Sequence, residues 1–242
     1  MGEIITKSFS FCKRVIKADI VKVFSFTAMS TLVKMLTGLI SVKVVASIIG
    51  PAGVALVGQL NNFTSIAMTV SSGGINSGIT KYIAEYKEDK DVVCSYLSTA
   101  LRITVICSIM VGILMILFHN YLSEYIMLSS EYGYVFIIFG FTVLLYAINM
   151  MLISIVNGFK EFKRYVYINI ANSILGLLFT LVFVLTLGLK GALISVVTYQ
   201  SVMLIVTIWM LRKLAWFKWK YFKEKLNSTI SKKYLQYTIM AI

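Results

Sequence analysis

Lys34 sits near the middle of a long apolar run, 23–49, where a lipid-crossing segment should carry no charge. At three, four and seven residues from it stand Thr27, Ser30, Thr31, Thr37, Gly38 and Ser41. On an α-helix those spacings put all six beside the lysine. An ammonium facing lipid at that depth costs on the order of 3 kcal/mol or more, so the face should meet water or protein. A cation on a wet face of small residues suits an anionic group, phosphate above all. The other reading is a structural lysine held by backbone carbonyls or by a partner on another helix.

A second set follows in the next apolar run: Asn62, Ser65, Thr69, Ser72, Asn76 and Thr80. Their spacings of 3, 4, 3, 4 and 4 put them on one helical face, which in lipid must point at protein or water. The glycines Gly73 and Gly74 allow a bend beside Ser72, and transporters site such breaks on the substrate path. Helix–helix hydrogen bonding uses the same residue types and is the competing explanation. A weaker polar face recurs at Asn169, Asn172, Ser173 and Thr180, and Tyr146 and Asn149 add to it.

Lys43 lies nine residues after Lys34, so a helix turns it to the opposite side, where snorkelling or a helix contact competes with a ligand role. Arg102 stands near one end of another apolar run, with Ser95, Ser98 and Thr99 nearby, and can reach lipid headgroups. The substrate-binding candidates are therefore Lys34, Lys43, Asn62, Ser65, Thr69, Ser72, Asn76 and Arg102. No catalytic set accompanies them. His119 has no carboxylate at a fixed spacing, and neither a nucleophile elbow nor a phosphate-cradling loop occurs. The three cysteines, Cys12, Cys94 and Cys107, show no metal-site or disulfide spacing. No cofactor and no metal is expected.

The elements that carry these residues are membrane helices. The chain of 242 residues is 59% hydrophobic, with one proline, and its mean hydropathy is +0.86. Six runs are long enough to cross a core of roughly 30 Å: 23–49, 54–80, 94–118, 135–157, 166–187 and 191–211. The expected class is all-α, a polytopic bundle forming one six-helix lobe. Residues 1–22 read as a basic amphipathic segment at the interface, or simply as a basic flank. Residues 212–233 read as a basic linker, and a seventh run starts near Tyr234.

The net charge of +13 would suit nucleic acid in a soluble chain. Here the cations sort by loop. Nineteen of the 23 lysines and arginines fall before the first span, in the second and fourth loops, or after the sixth span. Only Lys190 falls on the other side, and Lys34, Lys43 and Arg102 lie within spans. That bias predicts cytoplasmic termini and no nucleic-acid role. Trp216, Phe217 and Trp219 interleave with Lys218 and Lys220 as an interfacial belt beside anionic lipid.

Several stretches together resemble the Wzx-type flippases of the multidrug/oligosaccharidyl-lipid/polysaccharide exporter superfamily, which include the O-antigen and lipid III flippases. They are Ser30-Thr31-Leu32-Val33-Lys34, Gly50-Pro51-Ala52-Gly53, the run Gly78 to Tyr86, Asn157-Gly158-Phe159-Lys160, and the run Gly188 to Leu193. The resemblance spans essentially the whole chain, in order. It implies that undecaprenyl-diphosphate-linked oligosaccharide moves from the cytoplasmic to the periplasmic leaflet of the bacterial inner membrane, through a central cationic cavity. It implies a match of Lys34 and Lys43 to basic positions in the family's first span.

Family members have two such lobes, so the resemblance implies a partner: a second lobe, a second copy, or a truncated product. Relatives can carry mid-span carboxylates tied to ion coupling, and these spans hold none. The alternatives are a drug exporter of the same superfamily and a membrane enzyme of polysaccharide assembly. A lysine without an intramembrane acid argues against export of cations. The short third loop argues against an enzyme.

Overall fold

The computed structural model describes the backbone of residues 2–212 with 214, 230, 234 and 236, and side chains from Phe26 onward. The side chains of 2–25, and most of the expected linker and seventh run, lie outside the described residues. The elements in order are α1 (Gly2–Ser71), α2 (Asn76–Tyr86), α3 (Lys90–Leu117), α4 (His119–Met127), a 3-10 turn (Ser130–Tyr132), α5 (Gly133–Gly158) and α6 (Phe162–Leu211). Among the described residues there is no strand. From Gly2 the helix runs unbroken into the first span, with its one non-helical residue at Gly50.

Among the described residues, four helical stretches are long and apolar enough to cross a membrane, and two of them are too long to cross only once. Phe26–Ser71 has 46 residues and Phe162–Leu211 has 50. Drawn out straight they would extend about 69 Å and 75 Å, more than twice a hydrocarbon core of ~30 Å. Each reverses at one glycine with a left-handed φ: Gly50 at 72° and Gly188 at 56°.

Only glycine takes that conformation without a steric cost. Pro51, which follows Gly50, occupies the first position of the returning arm, where a missing N–H matters least. The reversals are evident in the packing. A β-carbon at Gly191 would abut the carbonyl of Phe183, eight residues back and about 12 Å away in a straight helix. Val45 shares one small apolar cluster with Val54 and Val57. Two hairpins plus α3 and α5 therefore give six passes, as the sequence predicts.

The second pass differs from its expected extent, 54–80. It stops at Ser71, the chain turns through Gly73 and Gly74 (φ 62° and 64°), and α2 follows as an 11-residue helix. The Ser108 hydroxyl donates to the Ser71 carbonyl at 3.0 Å, satisfying an acceptor freed by the break. α2 buries Ile79 and Ile83 against α5, where Gly158 allows close approach. The Thr80 hydroxyl donates to the Ser154 carbonyl at 3.1 Å.

α5 is the axis of the bundle. Phe136, Phe139, Val143, Ala147, Met151 and Ile155 recur at three or four residues and are all buried. Gly112 of α3 and Gly140 of α5 pack backbone to backbone. A β-carbon on Gly112 would lie 2.6 Å from the Gly140 oxygen, and one on Gly140 2.8 Å from the Gly112 oxygen. On the far side, α3 turns Ile106, Ile109, Met110, Ile113 and Leu117 outward, the expected lipid face.

Two hydrogen bonds fix α6 on α5. Thr142 donates to the Val197 carbonyl at 3.0 Å, and Ser201 donates to the Thr142 carbonyl at 2.9 Å. At the end carrying Lys81, Lys87 and Lys90, Tyr82 and Tyr86 stack on Tyr96, and Tyr234 closes edge-on.

Candidate substrate cavity

The two hairpins stand side by side and line an open cavity of about 630 Å³, with α5 at its back. The first arm of α1 contributes Lys34, Thr37, Gly38 and Ser41, and the returning arm contributes Val54, Val57, Gly58 and Asn61. The facing wall is α6. Its first arm presents Tyr165, Asn169, Asn172, Ser173, Gly176 and Thr180, and its second presents Ser195, Tyr199 and Gln200.

The walls share a register. Lys34 and Asn172, Gly38 and Gly176, Val42 and Thr180, Val54 and Ala192, Val57 and Ser195, Gly58 and Val196, Asn61 and Tyr199 all line the cavity. Each pair is separated by the same 138 residues that separate Gly50 from Gly188 (188 − 50). Lys34 and Asn172 therefore lie at one depth, about 24 Å from their reversals. The charge is on one wall only.

Among the described residues, Lys34 is the one ionised side chain in the lining. Among the described residues no carboxylate pairs with it; the single ion pair is Lys87 with Glu88, at 3.5 Å. The α1 wall is otherwise open. β-Carbons at Gly38 and Gly58 would find no atom within 4 Å, so the cavity reaches the helix backbones there.

The α6 wall is polar and uncharged. The Asn169 amide nitrogen donates to the Tyr165 carbonyl at 2.8 Å, which leaves its oxygen as an acceptor. The Asn172 amide oxygen has no donor. Asn149 on α5 donates to the Gln200 oxygen at 3.0 Å, and the Gln200 nitrogen donates to the Tyr199 hydroxyl at 2.7 Å. This relay starts in the core at Asn149 and ends at the hydroxyl of Tyr199, a lining residue. The Tyr199 ring rests on Gly176, with ring carbons 3.3 and 3.4 Å from where a β-carbon would be.

Of the eight candidates from the sequence, the cavity contains Lys34. Lys43 is exposed on α1 outside it, and Arg102 is exposed on α3. Asn62, Ser65 and Thr69 are exposed, on the same side of the helix as Gly58 and Asn61, but they are not among the residues that line the cavity. Ser65 and Thr69 bond to carbonyls four residues back, and Ser72 to the Thr69 carbonyl. Asn76 lies beyond the break on α2, its oxygen buried without a donor.

The stripe is thus split between two helices and does not line this cavity. The inward face of the second arm is set by Leu60, Thr64, Ala67 and Ser71, which pack on the bundle. The weaker polar face, Asn169, Asn172, Ser173 and Thr180, does line it. Asn61, Tyr199 and Gln200 join as lining residues that sequence reasoning missed. Two amides and a phenol inside apolar runs were the available signal.

A family model for polysaccharide biosynthesis protein matches residues 20–239. Lipid III flippase of Escherichia coli (strain K12) is 23% identical over 224 residues, 93% of this chain and 54% of that protein, and the same figures hold for lipid III flippase of Shigella flexneri. The chain spans about half the length of the curated relatives it matches.

Solved structures share the fold. A MATE protein in complex with MaD3S matches with a TM-score of 0.70 at 18% identity, over 88% of this chain and 50% of that one. A MOP superfamily transporter from Pyrococcus furiosus matches at 0.69 and 17% identity, over 87% of this chain and 48% of that one. With the matched region covering nearly its whole length, the chain belongs to the polysaccharide biosynthesis protein family.

Proposed function

We propose that this six-pass lobe works in a transporter that moves an undecaprenyl-diphosphate-linked oligosaccharide across the cytoplasmic membrane for surface polysaccharide assembly, with no covalent chemistry of its own. The observation that carries this reading is the charge of the cavity, whose one ionised lining residue among those described is Lys34. A lone ammonium in a low-dielectric cleft attracts a diphosphate and repels a cationic drug. The two lipid III flippases at 23% identity support the same substrate class. Lys34 receives the diphosphate, and Lys43 and Arg102 act at the margins.

Transport then needs a second wall. A second six-helix lobe, on the same chain or another, or a second copy, closes the cavity and covers the exposed polar face of Asn62, Ser65 and Thr69. Coverage of about half of each relative supports this. The cation bias supports cytoplasmic termini. Lys34 then lies in the half of the cavity nearer the cytoplasm, where a lipid-linked precursor would load.

The test is restoration of surface glycan in a flippase-deficient strain by the full-length protein, with the protein level followed by immunoblot. Lys34→Ala is expected to abolish export at an unchanged protein level. Lys34→Arg should retain part of it, and Lys43→Ala should be milder than Lys34→Ala. Normal export by Lys34→Ala would overturn the diphosphate assignment.

A further inference from the structure

We propose that the α6 wall is a saccharide-recognition surface, separate from Lys34, on which Asn169, Asn172 and Tyr199 bind the hydroxyls of a neutral sugar. This rests on the reading of the cavity as the path of a lipid-linked oligosaccharide. It adds which wall takes the glycan and by what chemistry.

The two hairpins are asymmetric in charge. They offer the same register to the cavity, yet where one has Lys34 the other has Asn172. The α6 wall therefore has hydrogen-bonding capacity without charge. Amide side chains offer donors and acceptors on one rigid plane, which matches pairs of adjacent hydroxyls. Three of the polar groups also have unfilled capacity. Asn172 has an amide oxygen with no donor. Asn169 is fixed by its bond to the Tyr165 carbonyl, with its oxygen left over. Tyr199 ends the relay from Asn149 and Gln200.

The relay leaves the phenol one unfilled position in either sense. As assigned, the Tyr199 oxygen accepts from Gln200 and its proton is free to donate into the cavity. With both amides rotated by half a turn, Tyr199 donates to Gln200 and keeps a lone pair. Gln200 and Asn149 hold that hydroxyl in place, so little ordering is left for the moment of binding.

Gly176 completes the surface. Because it lacks a β-carbon, the Cδ2–Cε2 edge of the Tyr199 ring comes close to the first arm of α6, and an apolar edge is held among the polar groups of that wall. Sugars have the same division, with hydroxyls round the edge and C–H groups on the faces.

The experiment uses the full-length protein in detergent with two kinds of probe. The first is undecaprenyl diphosphate, bare or bearing one sugar from a panel of common hexoses and N-acetylhexosamines. The second is the same sugars as free methyl glycosides, read by saturation transfer. At least one sugar is expected to raise affinity over the bare carrier. Tyr199→Phe and Asn172→Ala should each remove that gain, by about tenfold, while leaving the bare carrier's affinity unchanged. They should also abolish saturation transfer to the matching glycoside. Lys34→Ala should weaken bare and sugar-bearing carrier alike.

If no sugar of the panel raises affinity or shows saturation transfer, the saccharide surface is overturned. If a gain is present and survives both substitutions, the α6 wall is the wrong place for it. If glycosides bind through the wall while the bare carrier is indifferent to Lys34→Ala, the diphosphate reading fails and the saccharide surface stands.

Discussion

Tyr199 lies against Gly176, with its ring carbons 3.3 and 3.4 Å from the position of a β-carbon on that glycine. One hairpin arm thereby sets where the phenol of the other points. Thr142 and Ser201, which tie α5 and α6 together on either side of Tyr199, hold the register in which this happens. The first prediction follows from that contact. Gly176→Leu should push the ring aside and break the relay with Gln200, and surface glycan should fall to the level of Tyr199→Ala with the protein still in the membrane. Gly176→Ala requires only a few tenths of an ångström of movement and should be milder. Full export by Gly176→Leu would show that the ring's placement does not matter.

Gly38 and Gly58 allow the opposite experiment. A β-carbon at either meets no atom within 4 Å, so Leu there should extend into the cavity without disturbing the lobe. Each replacement of a helical glycine should also gain roughly 0.5–1 kcal/mol in helix stability. The expected outcome is an unchanged or raised thermal midpoint in detergent together with lost glycan export. Retained export in both variants would mean that the substrate does not pass this cavity.

The Gly112–Gly140 contact should behave as pure structure. Val at Gly112 drives a side chain into the Gly140 carbonyl, 2.6 Å from the β-carbon position. A cost of about 3 kcal/mol, the upper end for overpacking, is expected. Size-exclusion profiles of a fluorescent fusion should move from a single peak to aggregate. A monodisperse Gly112→Val protein of normal thermal midpoint would contradict the packing.

Topology can be tested without any substrate. Single cysteines at Glu124 and Asp89, in a protein lacking Cys12, Cys94 and Cys107, should differ in labelling by an impermeant thiol reagent in intact cells. Glu124 precedes the 3-10 turn after α4, while Asp89 caps α3 at the opposite end, its carboxylate accepting from the Val92 amide at 3.2 Å. Glu124→Cys should label and Asp89→Cys should not. Equal labelling would refute cytoplasmic placement of the lysine-rich loops.

The sequence by itself determined the class and the six passes, and it singled out Lys34, which the structure places in the cavity lining. Apolar length is local, because a helix in lipid satisfies its backbone bonds within its own span. The reversals were local too: Gly50 and Gly188 are written into the chain, and Gly73-Gly74 marked a bend. Helical period could say that Asn62, Ser65 and Thr69 share a face. It could not say which neighbour that face meets, because a helix has no inside until others pack on it.

Tertiary structure decided that Leu60, Thr64, Ala67 and Ser71 turn inward, so the stripe lies outside the cavity and the break after Ser71 moves Asn76 and Thr80 onto α2. It also brought Asn172 to the depth of Lys34, from 138 residues away, and ended the relay from Asn149 at Tyr199. Those are contacts between passes, and they depend on how glycine pairs such as Gly112 and Gly140 let backbones approach. Spacing along one helix holds no record of that approach.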